Sequence, residues 1–237
     1  MRSLVDNPTI IDTALNNSAV FITGSDTEIG KTFVACAIVR SLVEASVRVG
    51  VYKPVASGLT DLESSDAYQL WLAAGKPGDS MERVCPQSFA QPLAPMMAAQ
   101  SENKTIDIQK IISGYDYWVD SSEFVLVEGA GGLLSPIAER LNNADLAARL
   151  ELPIVVVVPN RLGCVNQAML VLEVARARKL PVVAVVLNQT KIQSNDLSVE
   201  TNFALLRKTM DDSSFSATPL HNFEYQQQSL ILFAPIP

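Results

Sequence analysis

Histidine is almost missing from this chain. His221 is the only one, which excludes a mechanism resting on a histidine pair or on zinc caged by imidazoles. Cysteine is sparse too. Cys36, Cys85 and Cys164 lie far apart with no Cys-x-x-Cys pair among them, so they read as reduced, buried thiols, not as a disulfide framework. Basic charge is in deficit: 18 Lys and Arg stand against 25 Asp and Glu, a net charge of −7. Neither a nucleic-acid backbone nor an anionic membrane is then expected as the main partner. Long apolar runs are lacking as well. The longest, near 154–158 and 182–187, fall far short of the roughly 20 residues a membrane helix needs. Residues 1–18 are polar and have no secretory core, so they read as a poorly ordered lead-in. A soluble, cytoplasmic protein is expected. Its residues are 48% hydrophobic, enough for one large globular domain over 19–237.

The chain is organised around Val20-Phe21-Ile22-Thr23-Gly24-Ser25-Asp26-Thr27-Glu28-Ile29-Gly30-Lys31-Thr32. An apolar strand over 19–23 enters a polar turn, and a helix leaves it at Lys31. Strand, glycine-bounded loop, Lys-Thr and helix together make a phosphate cradle: loop amides converge on an anion and the helix N-terminus adds partial positive charge. In that pattern Lys31 neutralises the outer phosphates and the Thr32 hydroxyl ligates Mg²⁺. The usual spacing places four residues between the two glycines, whereas Gly24 and Gly30 enclose five. The bland alternative, a strand–turn–helix joint with a solvated lysine, explains less of what flanks it.

Further strands are expected over 48–54, 124–128, 154–158 and 182–188, and helices over 31–45, 66–75, 105–119, 142–150, 164–179 and 196–210. The Pro-rich stretch 76–100 reads as a long irregular connection over the site, and a mixed tail follows residue 210. Continuous β-branched strands alternating with helices give a parallel sheet covered on both faces, a P-loop NTPase-like α/β fold. Ligands of such sheets bind at the carboxyl ends of the strands. Those ends are Gly24, Lys53, Glu128, the neighbourhood of Asn160, and Asn188.

Each strand-end residue has two readings. Glu128 is either a solvated carboxylate or the Mg²⁺-side acid opposite the phosphate loop, and the loop of residues 24–32 favours the second. Gly129-Ala130-Gly131-Gly132 behind it lets backbone approach a ligand. Lys53, fixed by Pro54, either reaches water or holds a transferring phosphoryl oxygen. Asp66, in the first turn of a helix capped by Ser64-Ser65, suits the helix dipole without any metal.

Taken together, the phosphate loop, Tyr52-Lys53-Pro54-Val55-Ala56-Ser57-Gly58, Ser65-Asp66-Ala67, Val127 to Gly132 and Leu162-Gly163-Cys164-Val165-Asn166 resemble dethiobiotin synthetase. They do so in that family's order from about 19 to 190, the long-spaced loop included. The resemblance implies ATP- and Mg²⁺-dependent ring closure of 7,8-diaminononanoate with CO₂ to dethiobiotin, ADP and phosphate. One amine captures CO₂ as a carbamate, the carbamate attacks the γ-phosphate, and the second amine displaces phosphate from the mixed anhydride.

By resemblance Lys31 and Lys53 are catalytic, and Thr32, Asp66 and Glu128 are the metal ligands. Glu28, Ile29, Gly30, Lys31, Thr32 and Phe33 wrap the phosphates, with Gly129, Ala130 and Gly131 nearby. Asn188, Gln189 and Pro219 meet the adenine. Thr27, Ser57 and Asn166 contact the diamine, Asn166 across a homodimer. Arg161 stands where the family often has lysine, and the likeness fades after 190. The rival reading is a ParA/MinD-like partitioning or positioning ATPase. Such proteins usually carry a lysine at the start of the loop, where Gly24-Ser25-Asp26 has none.

Overall fold

A computed structural model describes residues 18–227, apart from 60, 78, 79, 191–195 and 226. The expected lead-in, Ser18 aside, lies outside the described residues. Among the described residues six strands form one parallel sheet. In chain order they are β1 (Ala19–Gly24), β2 (Val49–Tyr52), β3 (Phe124–Glu128), β6 (Ile154–Pro159), β7 (Val182–Asn188) and β8 (Leu220–Phe223). A separate two-stranded antiparallel pair is made by β4 (Pro136–Ala138) and β5 (Leu141–Asn142).

Across the main sheet the order is β2-β3-β1-β6-β7-β8. Chain order reverses at β1, which is flanked by β3 on one side and β6 on the other. That reversal opens a crevice outside the carboxyl ends of the central strands.

All residues of β1, β3 and β6 are buried. Successive strand residues point to opposite faces, so both faces of the central sheet are covered, as their unbroken apolar sequences require. The covering helices are α1 (Lys31–Glu44), α2 (Asp66–Ala73), α3 (Met81–Val84), α4 (Pro95–Ser101), α5 (Ile108–Ser121), α6 (Asn143–Arg149), α7 (Cys164–Ala177) and α8 (Leu197–Asp211).

Two details fix the end of β2. The Tyr52 hydroxyl donates to the Ile111 carbonyl at 2.8 Å, and Gly114 of α5 leaves the space that the Tyr52 ring fills. One residue on, the Lys53 amide donates to the Val84 carbonyl at 2.8 Å. The lysine therefore leaves the sheet from an anchored backbone.

The structure differs from expectation in three places, the first being the β4–β5 pair, where no strand is expected. Residues 76–100 are not uniformly irregular: α3 forms there and α4 begins at Pro95, a residue whose missing amide costs nothing at a helix start. The tail carries β8, which among the described residues pairs only with β7.

Candidate active site

The strand ends and α1 enclose a cavity of about 1020 Å³. Its phosphate-loop wall is Thr27, Glu28, Gly30, Lys31, Thr32 and Phe33; Lys53, Ser57 and Asp66 come from the segments after β2; Glu128, Ala130 and Gly131 come from the end of β3. Twelve of the residues singled out in the sequence thus face one space. Ile29 is buried behind the loop, and the Gly129 amide is used by the sheet, donating to the Ile22 carbonyl at 3.0 Å.

Asn166, Asn188, Gln189 and Pro219 are not among the cavity walls. Asn166 is exposed on the first turn of α7. Asn188 ends β7, 1% exposed. The Gln189 amide donates to Phe223 at 2.9 Å, and the Pro219 carbonyl accepts from Val185 at 2.8 Å.

Local backbone explains the cradle. Glu28 and Gly30 hold φ of 56° and 80°, turning the chain so that α1 starts with no side-chain cap on Gly30. Its first amides have no partner one turn back, the usual basis of anion binding at a helix start. A Cβ on residue 30 would collide with the Asn188 side-chain amide, so glycine is required by space as well as by φ. Lys31 is 7% exposed and its Nζ donates to the Asp26 carbonyl at 2.9 Å. Burial pulls its pKa below the ordinary lysine value, against the opposing pull of Glu128 and with help from the Lys53 charge.

Beside the cradle, Lys53 Nζ lies 2.7 Å from Asp66 Oδ2 and 2.5 Å from Glu128 Oε1. Thr32 Oγ1 donates to the same Glu128 oxygen at 2.8 Å. Burial alone would lower the Lys53 pKa, but Glu128 and Asp66 outweigh it and hold the ammonium charged well above its usual range.

The residues fit a hard divalent cation on three observations. Glu128 is fully buried, and its Oε2 has no hydrogen-bond partner, a costly state for a carboxylate oxygen. Thr32 and Asp66 add oxygen donors within the same cluster. The two carboxylates face the ammonium of Lys53, which touches both, and that of Lys31 close by, whose charged form burial disfavours. Among the described residues no group of three or more His, Cys, Asp or Glu is placed to hold a metal. Mg²⁺ is commonly held by one or two carboxylates completed by substrate phosphates and water, and Thr32, Asp66 and Glu128 would supply the protein's share.

Sequence reasoning missed the support of the glycine loop. Asn143, fully buried at the start of α6, donates through Nδ2 to the Ala130 and Gly132 carbonyls at 2.7 and 2.8 Å and accepts from the Ala130 amide at 3.2 Å. The Ser135 hydroxyl accepts from the Gly132 amide at 2.8 Å. Arg40 and Gln69 also line the cavity, and Pro92, Leu93, Ala94 and Pro95 give it an apolar wall. The Asn142-Asn143 pair ahead of a helix was the available signal, but an asparagine there usually reads only as a cap. Asn142 is indeed that cap. Arg161 approaches Asp26 of the loop at 3.8 Å, both half-exposed.

A family model described as an AAA domain matches residues 18–212. The ATP-dependent dethiobiotin synthetase BioD of Anaeromyxobacter dehalogenans (strain 2CP-C) is 42% identical over 185 residues, 78% of this chain and 82% of that protein. The protein of the same name from Akkermansia muciniphila is 34% identical over 211 residues, 89% of this chain and 96% of its own. A solved ParA family ATPase from Chlorobium tepidum TLS aligns with 89% of this chain and 86% of its own at TM-score 0.47 and 12% identity, too distant for a functional comparison. No helix among the described residues is long and apolar enough to cross a membrane. With identity sustained across most of both partners' lengths and the phosphate loop, Lys53 and Glu128 gathered at one cavity, the chain belongs to the ATP-dependent dethiobiotin synthetase family.

Proposed function

We propose that the protein is a cytoplasmic dethiobiotin synthase, closing the ureido ring on 7,8-diaminononanoate with CO₂ while converting ATP to ADP and phosphate. The observation that carries this reading is the meeting of Lys31 and Lys53 with Thr32, Asp66 and Glu128 at one cavity. The ATP dependence and the product follow from its relatives, which are ATP-dependent dethiobiotin synthetases.

The chemistry asks the protein to hold a carbamate anion, two amines and a triphosphate together and to neutralise the charge between them. The amides at the start of α1 and the Glu28 to Phe33 turn bind the phosphates. Lys31 releases the Asp26 carbonyl and takes transferring phosphoryl oxygens. Lys53, with its backbone pinned to Val84, holds the carbamate oxygen that attacks. Thr32, Asp66 and Glu128 would hold Mg²⁺, which would supply positive charge against the phosphates.

Thr27 and Ser57 serve the diamine, whose alkyl chain matches the Pro92 to Pro95 wall. Gly129, Ala130 and Gly131, braced by Asn143, admit backbone close to the substrate. Asn188, Gln189 and Pro219 serve the base. For Asn188 the support is a buried Oδ1 with no partner, an acceptor suited to an exocyclic amino group. The functional unit is a homodimer in this reading. Leu162 and Leu170, 84% and 60% exposed, flank Asn166, and a second copy would cover that stripe while Asn166 reaches its neighbour's substrate carboxylate.

The test is ATP consumption by the purified protein. Turnover is expected only when both diaminononanoate and bicarbonate are supplied, with dethiobiotin formed in equal amount. Brisk hydrolysis without either would overturn the synthase and indicate a switch ATPase.

A further inference from the structure

Helix α8 contributes nothing to the cavity walls, yet its buried Asn202 begins a line of amides that ends on the phosphate loop. Asn202 Nδ2 donates to Asn160 Oδ1 at 2.9 Å. Asn160 Nδ2 donates to the Val199 carbonyl of α8 at 3.2 Å, and its backbone amide donates to the Asn188 carbonyl at 2.7 Å. Asn188 Nδ2 then donates to the Ile29 carbonyl at 2.7 Å, and its side chain lies against Gly30. Asn160, Asn188 and Asn202 are 5%, 1% and 5% exposed.

This line has only one hydrogen-bonding sense. Val199 and Ile29 offer carbonyls, which only accept, so both amide NH₂ groups facing them are fixed as donors. Asn160 Oδ1 is then fixed as the acceptor for Asn202. Asn188 Oδ1 is fixed as an acceptor that has no partner among the described residues. A buried acceptor with its partner missing is costly unless a ligand supplies the donor.

From this we propose that Asn202 is a positioning residue for nucleotide selection, acting through Asn160 on the end of β7 so that Asn188 Oδ1 faces an amino-bearing base. The inference rests on the reading that places the base at Asn188. Asn202 touches no substrate. It holds Asn160 between α8 and β7, and with it the place at which Asn188 leaves the sheet. Without the Asn202 donor, Asn160 Oδ1 is a buried acceptor with no partner, and relaxing that defect shifts the strand end. The phosphate cradle keeps its own amides and lysine and meets the line only at the Ile29 carbonyl and Gly30, so a bare triphosphate chain should lose less affinity than ATP.

The experiment uses the full chain at neutral pH or above and compares Asn202→Leu with Asn202→Asp, the second keeping shape and, when ionised, offering Asn160 no donor. Binding of ATP, GTP and inorganic triphosphate is measured by calorimetry, and kcat and KM for ATP are measured at saturating diamine. Both variants are expected to bind ATP about tenfold more weakly, the weight of one neutral buried hydrogen bond. Their preference for ATP over GTP should shrink by a similar factor, with inorganic triphosphate affinity and kcat unchanged within twofold. If Asn202→Leu does not fold, Asn202→Asp decides alone. Equal weakening of ATP and inorganic triphosphate, or no weakening of either, overturns the proposal. Asn188→Ala separates the two layers: if it leaves ATP affinity unchanged, the placement of the base fails, whatever Asn202 does.

Discussion

Replacing Lys53 by Met tests the electrostatic centre of the site without any ligand. In the native protein Glu128 is wholly buried, with one oxygen shared by Lys53 and Thr32 and the other bare. Removing the ammonium leaves a buried carboxylate with a single hydroxyl donor. Breaking a buried pair in this way costs about 3–5 kcal/mol, a large share of a total stability of about 5–15 kcal/mol. For a chain of this size that is a fall in Tm of roughly 6–20 °C. Asp66 contributes far less, because its side chain is 52% exposed and solvent screens it to about 1 kcal/mol or below. Urea unfolding of wild type, Lys53→Met, Glu128→Gln and the double variant reads the coupling. The double variant should recover about 2 kcal/mol or more relative to Lys53→Met, because it has no buried charge left to solvate.

The pH dependence carries a sign. Burial pushes Glu128 up from the ordinary carboxylate value, and in Lys53→Met the main opposing charge is gone. A carboxyl with a raised folded pKa is fully tolerated below its unfolded value, and stability falls as pH rises through the folded value. The gap between wild type and Lys53→Met should therefore open as pH rises from about 5 towards 8. A Lys53→Met protein within 1 kcal/mol of wild type at pH 8, or a double variant no more stable than the single, would refute the reasoning.

Gly30→Ala should abolish measurable ATP binding: the left-handed backbone costs an L-residue about 1–2 kcal/mol, and the new methyl strikes the Asn188 amide. Calorimetric titration with ATP checks this, and wild-type affinity would show that the loop accommodates a side chain. Glu128→Gln should raise the Mg²⁺ concentration needed for half-maximal turnover about tenfold or more while leaving metal-free ATP binding within a few-fold of wild type. An unchanged metal requirement would remove Glu128 from the metal shell.

Much of the frame could be read from the residues because each signal was local. The β-branched runs at 124–128, 154–158 and 182–187 can only be doubly covered strands, and Gly24, Lys53, Glu128, Asn160 and Asn188 do mark their carboxyl ends. The elements not seen were those that depend on partners far along the chain. The strand Leu220-His221-Asn222-Phe223 has no β-branched residue, and its extended form is set by pairing with β7. Helix α3 is four residues long and is kept by what it packs on, the Val84 carbonyl taking the Lys53 amide. The polar supports escaped for the same reason. Asn143, Asn160 and Asn202 are ordinary turn or helix residues until the fold brings a carbonyl or another amide to within hydrogen-bonding distance.

The strand order has a consequence for how the molecule is made. Gly24 pairs with Val157, and Ile22 with Glu128, so the stem of the loop acquires its two neighbours only after more than half the polypeptide has left the ribosome. At about 5–20 residues per second the wait is on the order of ten seconds, during which Val20, Phe21 and Ile22 have no companion strand. A nascent chain at that stage presents an unshielded greasy ribbon to the cell and has no working grip on a nucleotide. Slow codons placed before residue 154 should raise dependence on chaperones, whereas the same delay after β6 should not.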